Sequence, residues 1–221
     1  MLTALGHVLP IAVAVALSSV PIMATILILL SSNKNRSSIP FLIGWVVGIA
    51  AMVVIFTALA QVVPLGPPRK SQAAIGTALV VIGLVLVGLA IVSWLRVRGR
   101  PAEGVPKWLT AVSSFGPWSS LGLGLVLNVR PKAVLLSAAA GLSLRGDRLT
   151  NGELTVVVVI YTIVSATTVA IPIVARLVAP HRTESWLLDA RTWIEKNNRT
   201  VSILILIMIG VVVIGNGLTH Y

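Results

Sequence analysis

The chain has 221 residues, 57% of them apolar and only 10% charged, with a mean hydropathy of +1.00 and a formal net charge of +11. A soluble domain of this size could not bury that much apolar surface, so the composition points to an integral membrane protein. The absence of cysteine excludes disulfides, thiolate catalysis and thiolate metal sites.

The apolar runs predict six membrane spans, at about 8–31, 39–63, 73–95, 115–143, 154–175 and 200–218. The first begins within MLTALGHVLP, which has no Lys or Arg. A secretory signal needs a basic start, so this segment is expected to be kept rather than cleaved. The second span contains Gly44-Trp-Val-Val-Gly48, a spacing that lets helices approach closely, either within one chain or in a homodimer. The fourth is too long for one straight crossing and carries Arg130 and Lys132 on either side of Pro131. In the fifth, Thr155, Thr162, Thr167 and Thr168 either line a path or bond back to their own helix. Before the sixth, TESWLLDARTWIEKNNR places Trp186, Ala190, Trp193 and Ile194 at helical spacing, away from Asp189, Arg191, Glu195 and Lys196. That pattern predicts an interfacial helix over about 183–198.

Lys and Arg give the orientation. The first, third and fifth loops hold eleven of the seventeen: Lys34, Arg36, Arg96, Arg98, Arg100, Lys107, Arg176, Arg182, Arg191, Lys196 and Arg199. The second and fourth hold only Arg69, Lys70, Arg145 and Arg148. The excess marks the cytoplasm, so a multi-pass plasma-membrane protein with both termini outside is expected. The net positive charge then reflects loops against anionic lipid, not nucleic-acid binding.

Two halves resemble each other. Ile82-Gly83 through Gly88 matches Ile209-Gly210 through Gly215 at an offset of 127 residues. Leu17-Ser-Ser-Val-Pro21 matches Leu127-Asn-Val-Arg-Pro131 at an offset of 110, and the difference equals the extra length of the fifth loop. The expectation is one membrane domain, 1–221, with a first three-helix half at 1–95 and a second at 108–221. Three spans per half make the second half inverted, a transporter architecture. Pro21 and Pro131 should break helices 1 and 4, because proline lacks a backbone donor and clashes with the preceding turn.

Arg130 lies 13 residues from Pro117 and 14 from Leu144, roughly 20 Å from either end at 1.5 Å per residue. A charge at the bilayer centre costs from about 2.5 to more than 10 kcal/mol. The six acids (Glu103, Asp147, Glu153, Glu184, Asp189 and Glu195) all fall in loops or at span ends. The two cations beside a broken helix are therefore suited to an anionic ligand, with help from the free amides and dipole of the second half-helix. Asn128 and Ser18, at matched repeat positions, could add neutral hydrogen bonds. The candidate substrate-binding set is Arg130, Lys132, Asn128, Ser18, Pro21 and Pro131. The alternative is a span at 108–129 with Arg130, Pro131 and Lys132 at an interface and 133–144 as a short re-entrant or interfacial piece. No cluster of metal-ligating side chains, Ser/His/Asp grouping or Gly-rich phosphate loop occurs, so no metal, cofactor or enzymatic activity is expected.

SSVPIMATILILLSS followed by FLIGWVVG, PKWLTAVSSFGPWSSLGLG, NVRPKAVLLSAAAG and WIEKNNRTVSILILIMIGVVVIGNGL resemble, in order, the GAP/Sap family of peptidoglycolipid- and sulfolipid-addressing proteins of mycobacteria and related actinobacteria. The resemblance covers nearly the whole chain. It implies the lysine exporter superfamily, six spans, often dimers, and a role in moving envelope lipids to the surface. Many relatives carry an NPKN-like sequence where this chain has NVRPKA; the proline and lysine remain. Together with the charges, the resemblance implies an exporter or flippase for an anionic lipid or glycolipid. A small-solute exporter and an accessory protein that docks a lipid synthase or lipid pump are the alternatives.

Overall fold

The structure, a computed structural model, describes residues 1–62, 68–97, 111–146 and 149–219. Every regular element among them is helical: α1 (Leu2–Ala16), α2 (Ser19–Leu30), α3 (Lys34–Val62), α4 (Pro68–Val97), a 3-10 turn (Ala111–Ser114), α5 (Pro117–Val126), a second 3-10 turn (Leu127–Val129), α6 (Pro131–Gly146), α7 (Asn151–Val178) and α8 (Pro180–Leu218). The chain is thus an all-α membrane protein. Three helices are long and apolar enough to cross a bilayer: α3, the 73–95 part of α4, and α7. Two further crossings are available if each bent pair of helices counts as one. The segment 203–218 is a shorter apolar stretch.

Two helix pairs are bent, each with a proline nearby. α1 and α2 meet at 46°, and α5 with its 3-10 turn meets α6 at 66°. Pro21 has no N–H for the carbonyl four residues earlier, Leu17, and α1 ends at Ala16. Pro21 then sits in the first turn of α2, where amides have no helical partner anyway. Pro131 opens α6 in the same way. Arg130 before it is extended, with φ −69° and ψ 148°, the conformation a following proline favours.

Bends expose carbonyls that hydrocarbon cannot satisfy, so neighbouring helices must supply donors. The Thr168 hydroxyl of α7 donates to the Ala16 carbonyl at the end of α1, and the Ser165 hydroxyl donates to the Ala12 carbonyl at 3.4 Å. Thr155, Thr162 and Thr167 instead bond back to Asn151, Val158 and Val164 of their own helix.

Small residues set the remaining helix contacts. Gly44 and Gly48 of α3 pack within the chain, against Leu121 and Asn128. A Cβ on Gly124 of α5 would lie 2.6 Å from the Phe41 carbonyl oxygen and the Trp45 backbone nitrogen. α4 and α8 run antiparallel, with Gly83 against Gly210 and Gly217 against Gly76. Phe41, Trp45, Ile49 and Val53 of α3, with Val157, Tyr161 and Val169 of α7, lie in the buried core.

Two ends of the molecule are identifiable. At one, the Met1 ammonium lies 3.7 Å from Glu153, and Asn216 donates to the His7 carbonyl. At the other, Ser37 donates to the Phe115 carbonyl, and Lys34, Arg176 and Pro180 line one small hollow. Arg176 there also pairs with Glu184 at 3.2 Å. The 183–198 segment is not a separate helix. It is the first part of α8, which continues through residue 199 without a break. Arg98, Arg100 and Lys107 of the third loop and the 147–148 part of the fourth lie outside the described residues.

Candidate functional site

The bend at Leu17–Ser18 and the bend at Arg130 border one cavity of about 230 Å³. From the first bend it is lined by Ser18, Ser19, Val20 and Pro21. From the second come Leu127, Arg130, Pro131, Lys132 and Ala133. Val15, Trp45 and Leu136 complete the wall. Five of the six residues singled out in the sequence therefore meet: Ser18, Pro21, Arg130, Pro131 and Lys132.

Asn128 does not join them. It is 3% exposed and donates to the Gly124 carbonyl at 2.9 Å, with its amide set against Gly48 of α3. The 3-10 turn over Leu127–Val129 explains the difference. Three residues per turn, instead of 3.6, shift the direction in which a side chain leaves the backbone. Ser18 and Asn128 are matched in sequence, but Ser18 is the N-cap residue of α2 while Asn128 lies inside the turn that precedes α6.

The electrostatics of the cavity favour an anion. α2 and α6 both begin at its wall, so two helix N-termini direct their positive ends at it. Arg130 is exposed and Lys132 half-buried, and their like charges repel. Among the described residues none forms a hydrogen bond or ion pair with Lys132. The described ion pairs of Glu153 and Glu184 are made at the two ends of the molecule.

Sequence reasoning missed Trp45. Its side chain is 2% exposed, it lines the cavity, and its indole N–H has no hydrogen-bond partner among the described residues. A buried donor of this kind costs free energy unless something accepts from it. Its position between Gly44 and Gly48 was the available signal. The glycines bring α3 close to α5, and so set the neighbouring Trp45 against the second bend.

The arrangement has the chemistry to bind an anion. Arg130 offers a planar fork of donors and Lys132 a mobile ammonium, both suited to the oxygens of a sulfate, phosphate or carboxylate. Among the described residues no group of His, Asp or Glu side chains could hold a metal. No curated protein matches the chain, and no solved structure does. Residues 8–219, from the second turn of α1 to the end of α8, match the family described as "Sap, sulfolipid-1-addressing protein", and the chain belongs to that family.

Proposed function

We propose that the protein moves an envelope lipid or glycolipid with an anionic head, or its anionic precursor, across the plasma membrane toward the cell surface. The carrying observation is that Arg130, Lys132 and the N-termini of α2 and α6 border one cavity, with Trp45 in its wall. Family membership supports a role in lipid addressing or export.

The proposed architecture has six crossings in an inverted 3+3 repeat. Each bent pair is one broken span, and 203–218 lies in the sixth. Gly83 and Gly210, separated by the repeat offset of 127, pack on each other, as residues near a two-fold axis would. The clustering of Met1, His7, Glu153 and Asn216 at one end supports alternating crossings. The loop charges support a reading in which that end faces outward. No coupled ion is required for an outward-moving anion, because each elementary charge gains about 2.3 kcal/mol per 100 mV from a negative interior. A related proposal places the protein with a second copy of itself or with a lipid synthase or pump.

A small-solute exporter is the second reading, and one observation favours it. The cavity of about 230 Å³ is smaller than the roughly 300–1,000 Å³ of typical ligand pockets, so it accommodates a head group or a small anion but not a whole lipid.

Purified protein in liposomes tests the proposal. A sulfated lipid with a reporter on its head is followed by its accessibility to a membrane-impermeant quencher. Wild-type protein is expected to equilibrate it between leaflets, and the Arg130→Ala, Lys132→Ala double variant is not. Transport of small sulfated solutes without lipid movement would favour the second reading. No movement of either would favour an accessory role.

A further inference from the structure

A second, larger hollow adjoins the first. It holds about 730 Å³ between α2, α7 and α8, and its walls include Leu17, Ile22, Ile171, Trp186 and Trp193. Ser19 lines both hollows, and Leu17 of this one is next to Ser18 of the other. The two spaces therefore share a wall beside the bend between α1 and α2.

Their chemistry is opposite. The first has two cations and two helix N-termini. The second is walled by apolar side chains, its Thr168 hydroxyl is already bonded to Ala16, and its one described charge is the acidic Asp189. An anionic head is disfavoured beside Asp189, whereas an alkyl chain suits the remaining surface. The volume is within the range of pockets that enclose extended small molecules. Trp186 and Trp193 are 51% and 58% exposed, so their rings offer apolar area to an occupant.

We propose that this groove holds an acyl chain of the same amphiphile whose anionic head occupies the Arg130–Lys132 cavity. The proposal rests on the reading of that cavity as a head-group site and adds that the tail is bound by the protein, not left to the bilayer. The bend at Leu17–Ser18 is then the point where head and tail part. The 183–198 part of α8 forms a wall of the tail site.

Photolabelling of the full chain in phosphatidylcholine nanodiscs tests this. The probe is a long-chain alkyl sulfate with a diazirine at the chain end; the control is phosphatidylcholine carrying the same group. The sulfate probe is expected to label Ile22, Ile171, Trp186 and Trp193 several-fold more than Val81 and Leu84, which are exposed on α4. Filling the groove with Ile171→Trp, or separately Ile22→Phe, is expected to reduce that labelling several-fold. Ile171 is 61% exposed and Ile22 partly so, which makes the two variants compatible with folding. Equal labelling of groove and α4, or the same pattern from the phosphatidylcholine control, would overturn the proposal and leave ordinary bilayer contact. Loss of groove labelling in the Arg130→Gln, Lys132→Gln variant would support one amphiphile spanning both sites. Groove labelling that survives in that variant would retain the chain site and refute the head site.

Discussion

Gly83 of α4 and Gly210 of α8 exclude a side chain from each other. A Cβ on Gly83 would lie 2.7 Å from the Gly210 carbonyl oxygen, and a Cβ on Gly210 would lie 2.9 Å from the Gly83 carbonyl oxygen. The next contacts are reciprocal too: Gly83 faces Ile214, Gly210 faces Val87, and 87 and 214 again differ by 127. Such packing relies on backbone approach, which drives helix association in a solvent as apolar as the helices. Gly83→Val and Gly210→Val are each expected to lower stability by about 1–3 kcal/mol through overpacking. Gly88 and Gly215, also 127 apart, have nothing within 4 Å of a built Cβ. Their alanine variants should unfold with the wild type in a detergent thermal melt, and a comparable loss there would contradict the assigned interface.

The hydroxyl of Thr168 serves a carbonyl freed by the bend at the end of α1. Thr168→Val keeps the shape and removes the donor. Interhelical hydrogen bonds in membranes average about 0.6 kcal/mol and reach about 1.7, and this one serves a carbonyl at a helix end, so a loss toward the upper figure is expected. Thr162→Val, which removes only a bond within α7, should cost less. Chemical unfolding of both variants in the same detergent would decide it.

The features legible in the sequence were those written in backbone chemistry. Pro21 and Pro131 each stand within a few residues of a bend, the first of which falls at Leu17–Ser18, and a proline deprives a carbonyl one turn earlier. The Ile-Gly pairs were legible as a repeat, and the structure packs their glycines on each other between α4 and α8, an approach only glycine permits. Side-chain directions were less legible. Asn128 turned toward α3 because a 3-10 turn replaced an α turn, a choice set by tertiary packing. Trp45 was one apolar residue among many until α3 was placed beside the second bend. The end of the interfacial segment was drawn near 198 from its polarity, but 196–199 contains neither Pro nor Gly, and the helix has no local reason to stop.

The indole N–H of Trp45 separates a binding role from a packing role. Trp45→Phe keeps a large ring in the core and deletes the unpartnered donor. If that donor meets an anion, the variant should bind a sulfated head roughly ten- to a hundredfold more weakly, since a hydrogen bond to a charged group contributes about 1.5–3 kcal/mol. Its melting temperature should hold or rise, because a buried unsatisfied group has been removed. Trp45→Ala should instead lose about 3–5 kcal/mol of stability. A Trp45→Phe variant with reduced stability and unchanged sulfate affinity would make the tryptophan purely structural.

Lys132 offers the complementary test, because a functional charge is expected to oppose stability. It is half-buried, repelled by Arg130, and without an ion-pair partner among the described residues. Removing such a charge relieves desolvation and repulsion together. Lys132→Met is therefore expected to raise the melting temperature of the ligand-free protein while abolishing most sulfate binding. Lys132→Arg should keep binding within about tenfold, because the charge remains although the donor geometry changes. Ligand should also reverse the order: with saturating sulfated lipid the wild type gains stability by mass action and Lys132→Met does not. A Lys132→Met protein that melts lower than wild type without ligand would identify the ammonium as a structural group.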